Sequence, residues 1–399
     1  MSDTAMATEG RMPCSDLDFW ADEVIATPYP HYKALRDAGP AVWLSRYNAW
    51  AVVRHRNVRD ALVNQEVFTS TAGIGLNDEA NRNSEGVMIF SDDPDHQRLR
   101  RVFNRPLLPG ALNKLKERLS ALAEARVDEL VGKGEFEAVT GLAHYLPLTV
   151  VTDLLGLTEE GKKKMLFWAA GLFDALGPAG NPRTITGIAI AVEAFTYLHG
   201  LEREALDPDG WAAGLFRAAD NGDLSLSEAR HMLMDYTGPA LDTTINGLSS
   251  ALWLFARHPD QWDLLRANPD LLGRAIDEVL RMESPVRSFA RLISRDHDMD
   301  GVRMRKGDRA LMVYASANRD ERRYSEPERF DITRDARDHV AFGYGMHLCA
   351  GMHLAKLEIG TVLNFLIRRV RRFHIVEERR EIHNLLRGLS KLTLRVDPA

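Results

Sequence analysis

Residues 341–351 read AFGYGMHLCAG, and few features constrain a fold as tightly. The run holds one of only two cysteines and stands directly ahead of a long helical pattern. Gly343, Gly345 and Gly351 permit positive φ and close backbone approach, so the chain can turn tightly around Cys349. Backbone N–H groups at the start of the next helix favour an anion, which here would be a thiolate. Such a thiolate could be a nucleophile or a metal ligand. The plainest reading is a buried structural cysteine. A nucleophilic pair with His347 as base lacks a third, orienting residue. Zinc lacks a CxxC or a second nearby thiol. A dinucleotide loop is excluded, because the third glycine of GxGxxG would fall at Leu348.

The flanking sequence gives the frame for this loop. Residues 29–40 predict a short helix ended by Gly39 and Pro40. Residues 41–44 and 49–53 predict a hairpin. From about 56 to 282 the pattern is helical, broken at 177–182 and 220–223. Residues 283–340 turn irregular and strand-like, with Val302–Met304 and Arg309–Tyr314 on either side of an RKGD turn. The helix after Cys349 places Ala355, Ile359, Val362, Phe365 and Leu366 on one face. The last thirty or so residues read as strands and turns. The expected fold is mainly α with small β-sheets: a disordered tail over 1–16, then a single domain over 17–399. A chain of 399 residues can bury a core deep enough to hide a cofactor.

Net charge is −6, from 51 basic and 57 acidic residues, and no basic stripe points to nucleic acid. Two cysteines make no disulfide framework, which suggests a reducing compartment. There is no apolar signal core and no eighteen-residue apolar run. A cytoplasmic, soluble protein without membrane contact is expected, and a monomer.

The spacing of Phe342, Gly343, Gly345, His347, Cys349 and Gly351 resembles the haem-binding loop of the cytochrome P450 family. The resemblance extends over roughly residues 20–397. It implies the cytochrome P450 fold, heme b (iron protoporphyrin IX) as cofactor and Cys349 as thiolate ligand of the iron, a ligand that favours O–O cleavage. Other segments carry it further. Glu278 and Arg281 resemble the family's ExxR pair, and Arg329 falls where a further arginine closes a buried network. His96, Arg100, Arg291 and His347 fall where haem propionates are held. Asp242–Thr243 resembles the acid–alcohol pair bordering the oxygen site, with Thr243 facing oxygen and Asp242 relaying protons. Taken alone, these residues have plainer readings: a surface ion pair, a solvated helix face, and a local bond from Thr243 to an upstream carbonyl. Residues 236–258 read as one long apolar helix, but Pro239–Ala240 departs from the family pattern. Pro239 predicts a kink, and Ala240, where the family usually has glycine, bears on the width of the oxygen groove.

By the same resemblance, the substrate pocket is walled by Ala72, Ile74, Leu99, Leu172 and Phe173, and by Leu176, Asp235, Ala240, Phe289 and Leu386. Local runs at 70–78, 168–178, 240–248 and 385–389 look like the subgroup that O-demethylates para-substituted benzoates. That subgroup holds the substrate carboxylate with an arginine where this chain has Ala72. Asp235 adds an acid where a small polar residue is usual. The exchange favours a small neutral aromatic, unless Arg287 swings in to bind an acid. The expected reaction is a monooxygenation by O2, either hydroxylation or O-demethylation. Electrons would come from a ferredoxin and its NAD(P)H-dependent reductase, docking near Arg98, Arg101 and Arg105. The rival readings are a haem-binding sensor or carrier without turnover, and a cysteine hydrolase without haem.

Overall fold

The hairpin read from residues 41–53 becomes the middle of a larger sheet. A computed structural model of the chain describes residues 12–83 and 86–399. Strands β1 (Cys14–Ser15), β2 (Ala41–Leu44), β3 (Ala49–Val52) and β4 (Phe68–Thr69) precede β5 (Glu135–Glu137) and β6 (Phe289–Ile293). They are followed by β7 (His297–Met299), β8 (Val302–Met304), β9 (Arg309–Met312), β10 (Val370–Arg380) and β11 (Leu389–Pro398). The main sheet runs β1-β2-β3-β9-β6-β4. β2 and β3 pair antiparallel, while β3 takes β9 in parallel, Ala49 opposite Arg309. The segments on either side of RKGD therefore part company: β8 pairs with β7 in a separate ribbon and β9 joins the main sheet. β10, β11 and β5 form a third sheet.

The expected tail over 1–16 needs correction where it is described. Cys14–Ser15 is a strand, aligned in parallel with Trp43 and Leu44. Residues 1–11 lie outside the described residues. The chain is otherwise mainly helical, as expected, and its principal core packs the long helices Pro109–Lys133, Asp242–Arg257 and Met352–Arg369 together. Ile359, Val362, Phe365 and Leu366 are buried on one face of the last of these. No helix among the described residues is long and apolar enough to cross a membrane.

The long helix expected over 236–258 is two helices. Leu226–Thr237 ends before Gly238, and Asp242–Arg257 begins after Leu241. Pro239 has no N–H to continue the first ladder, so the kink becomes a four-residue break over 238–241. Thr237 and Thr243 bond back to Leu233 O at 2.9 Å and Pro239 O at 3.0 Å, on either side of the gap.

Candidate functional site

Glu278 and Arg281 are fully buried on the helix Leu272–Met282, not on the surface. Arg281 donates from Nε and Nη2 to the two carboxylate oxygens of Glu278, at 2.7 and 2.9 Å, and from Nη1 to Asn318 O and Pro327 O. The arginine closing this network is Arg334, with Nε 3.3 Å from Glu278 Oε1. Arg329 lends only its backbone carbonyl; its guanidinium is 58% exposed and pairs with Glu326 and Asp331. The expected role of Arg329 thus passes to a residue five positions later.

This network anchors the segment that leads into the cysteine loop. Asn318, which accepts from Arg281, also accepts the Val340 N–H through its side chain at 2.7 Å. Gly343 and Gly345 both take φ +72°, and a Cβ on Gly345 would sit 2.9 Å from Leu62 O, so only glycine fits there. Gly351 has an ordinary φ of −82° and needs no such freedom. The Cys349 N–H donates to Phe342 O at 2.9 Å, closing the loop on itself. Gly351 and Met352 direct their N–H groups at the sulfur. Its side chain is enveloped by protein yet accessible, because it opens onto an interior cavity.

His96, Arg100, Arg291 and His347 line that same cavity. His96 and Arg100 come from one face of the helix Asp95–Phe103, Arg291 from β6, and His347 from the cysteine loop. The rings of His96 and His347 lie 4.3 Å apart. Burial, then the His347 and Arg100 charges, lowers His96 to about 4, so it is neutral at pH 7. Its Nε2 is buried with no partner among the described residues. His347 Nε2 lies 3.2 Å from Ser70 Oγ and 3.7 Å from Asp92 Oδ1. Burial opposes ionisation of Asp92, but bonds from His347, Thr69 and Ser70 outweigh it and hold the carboxyl low.

Across the cavity, the break at 238–241 presents Ala240, and the helix that follows it presents Thr243 and Thr244. Asp242 does not join them. It is buried, its Oδ2 has no partner among the described residues, and burial with the charges of Glu381 and Asp174 pushes it up to about 7. Ile74, Leu172, Phe173, Leu176, Asp235 and Phe289 also line the cavity. Phe173 and Phe289 are near-parallel, 6.4 Å between centroids. Three expected wall residues are elsewhere. Leu99 packs into the main core, one step round the helix from Arg100. Leu386 bridges Val286 and packs behind the wall. Ala72 offers its carbonyl to Arg309 at 2.9 Å.

A cytochrome P450 of Rhodopseudomonas palustris, CYP199A2, is 36% identical over 393 residues, covering 97% of this chain and 95% of its own length. The chain belongs to the cytochrome P450 family. The family model for cytochrome P450 matches residues 206–395. A biotin biosynthesis cytochrome P450 of Bacillus subtilis is 29% identical over 359 residues, covering 88% of this chain and 91% of that one. Among solved structures, P450BioI in complex with an acyl carrier protein ligated to hexadec-9Z-enoic acid superposes with a TM-score of 0.83 at 26% identity. It covers 94% of this chain and 99% of its own.

The chain is accordingly a cytochrome P450 monooxygenase, and heme b is the cofactor. The residues present fit that group. A sulfur with two converging backbone N–H donors opens onto the cavity, and burial pushes the thiol up against those donors and Arg100. A thiolate there therefore needs a cationic partner of its own, which iron is. The orphaned His96 Nε2, with Arg100, Arg291 and His347, offers donors on the same cavity for two carboxylates.

One cavity residue escaped the sequence reading. Glu358 lies on the helix Met352–Arg369, three residues after Ala355 and one before Ile359. It is 1% exposed, both carboxyl oxygens lack a partner among the described residues, and burial pushes it up to about 8. The signal was present: a glutamate within an otherwise apolar helix face.

Proposed function

We propose that residues 17–399 work as one haem-thiolate unit in which Cys349 ligates iron and His96, Arg100, Arg291 and His347 hold the propionates. Heme b bound there would supply activation of O2 and insertion of one oxygen atom into a substrate C–H bond, favoured by thiolate donation. The protein's own part is proton handling and positioning. Thr243 Oγ1 presents a hydroxyl on the cavity while bonded to Pro239 O. Asp242, with a pKa near 7, can both take and give a proton at neutral pH. Half-buried Asp174 and exposed Glu381 are the charged groups that act on it. The observation that carries this reading is the shared cavity of Cys349, the four propionate candidates and the broken helix. Reduced protein under carbon monoxide tests it: a strongly red-shifted Soret band, lost in Cys349→Ala, is expected. A haem spectrum with a neutral axial ligand would sink it.

The substrate is a small neutral aromatic, oxidised by hydroxylation or O-demethylation. The wall is apolar, and Phe173 and Phe289 offer faces for a ring. Among the described residues the arginines lining the cavity are Arg100 and Arg291, both assigned to the haem. Arg287 is buried beside Phe19 and does not line it. Asp235 accepts the N–H groups of Met88 and Ile89, and burial pushes it up to about 7. A carboxyl poised so can bond a phenol or ether-bearing ring but repels an acid once ionised. Matched titrations should show neutral aryl ethers and phenols binding at least about tenfold tighter than the corresponding benzoates. Tight binding of the acids alone would overturn the assignment, and with it the departure from the benzoate O-demethylase subgroup.

Electrons come from a ferredoxin served by an NAD(P)H-dependent reductase. The helix Asp95–Phe103 supports this, because Arg100 bonds Leu348 O beside the cysteine and Arg98 and Arg101 on the same helix are exposed.

A further inference from the structure

We propose that Arg287 and Tyr32 hold a small inorganic anion, of chloride size, behind the wall of the substrate cavity. Arg287 follows Val286, which lines the cavity, and precedes Phe289, which does too. Its backbone is fixed: the N–H donates to Leu385 O at 2.8 Å and the carbonyl accepts from Ala315 N at 3.2 Å. The side chain turns away from the cavity and lies 5.0 Å from the Phe19 ring centroid, with no exposed surface. Its sole hydrogen bond among the described residues is a long one, Nη2 to Phe19 O at 3.4 Å. Among the described residues Nε and Nη1 have no partner, and neither has the Tyr32 hydroxyl, which feels the Arg287 charge most strongly among its charged neighbours.

The charge balance is what selects an anion. An arginine stays protonated in a protein interior. The charged neighbours acting on Arg287 are Arg387 and Arg183, which repel it; Tyr32 and Tyr29 beside it are phenols that burial keeps neutral. Among the described residues no carboxylate is a principal charged neighbour of Arg287. The two arginines are already committed, Arg387 to Glu283 at 2.7 Å and Arg183 to Asp22 at 2.6 Å. Water would satisfy the N–H groups but leave the positive charge uncompensated, and a buried uncompensated charge is strongly destabilising. A monovalent anion accepts from Nε, Nη1 and Tyr32 Oη and cancels the charge at once. The closed surroundings of both residues favour a halide over an organic acid. Bound there, it would pin the 286–289 stretch that forms the cavity wall.

The test uses the full, haem-loaded chain. Crystals soaked in bromide should show an anomalous peak bonded to Arg287 Nε and Nη1. In solution, Tm should be about 3 °C higher in saturating chloride than in methanesulfonate of equal ionic strength. Arg287→Met should abolish that difference. Tyr32→Phe, which keeps the cation, should raise the half-saturating chloride concentration about tenfold. Should Arg287→Met fail to fold, the bromide peak and Tyr32→Phe decide. Water alone at the site, or a chloride effect undiminished in these variants, would overturn the proposal.

Discussion

Arg334 Nε lies 3.3 Å from Glu278 Oε1, completing the clamp that Arg281 begins on the same carboxylate. Arg334 is 11% exposed and Arg329, its sequence rival, is 58% exposed. Breaking a buried pair strands a charge, whereas losing an exposed one costs little. Arg334→Ala should therefore lower unfolding stability by about 3 kcal/mol, and Arg329→Ala by under about 0.5 kcal/mol. Denaturant unfolding of the haem-loaded pair of variants checks the ranking, and equal losses would return Arg329 to the network.

The contrast shows which parts of the site were legible. The cysteine loop was readable because its geometry is local: two positive-φ glycines and helix amides surround one sulfur within eleven residues. The i, i+4 spacing of His96 and Arg100 put them on one helix face, while their tie to the haem came from the family resemblance alone. Arg329 and Arg334 stand in irregular chain, where no period says which guanidinium points inward. The two-residue β1 depends on a partner about thirty positions away, so composition alone gave no hint of it. Leu99, Leu386 and Ala72 were sought in the right segments, but side-chain direction in each was set by tertiary packing. Pro239 announced a kink; the extent of the break required the structure.

Thr243 faces the cavity and Asp242 turns from it, so their losses should differ in kind. Asp242→Asn removes a group that exchanges protons near pH 7, and turnover should fall roughly a hundredfold with a larger solvent isotope effect. Thr243→Ala should keep consuming NAD(P)H with a surrogate ferredoxin system while hydrogen peroxide replaces much of the product. Parallel assays of NAD(P)H, product and peroxide distinguish the two. Identical coupling in both variants and the parent would remove the pair from proton handling, and would leave the sensor reading to be considered.

Glu358 gives a pH signature of defined sign. Its folded pKa, near 8, stands above the ordinary 4.5 because burial favours the neutral acid. Above pH 4.5 the unfolded chain releases this proton and the folded chain keeps it. The carboxyl therefore withdraws stability as pH rises towards 8, and no further beyond. Glu358→Gln removes that penalty. Its Tm should match the parent near pH 5 and exceed it increasingly up to pH 8, by on the order of a few kcal/mol in stability. A constant offset across that range would mean that Glu358 does not titrate there.

Arg98, Arg101 and Arg105 are not equivalent as docking cations. Arg98 pairs with Glu228, and Arg105 with Asp223 at 2.7 Å. Arg101 is exposed and makes no ion pair among the described residues, so its charge is free to steer an acidic partner. Arg101→Glu should slow ferredoxin-driven reduction about tenfold at low salt and flatten its salt dependence. Reduction by dithionite, which needs no docking, should be unchanged. Arg98→Glu and Arg105→Glu also repel their own partner carboxylates, so their effects should include a loss of stability that Arg101→Glu lacks. Equal rates and equal salt slopes for Arg101→Glu and the parent would take this helix out of the docking face.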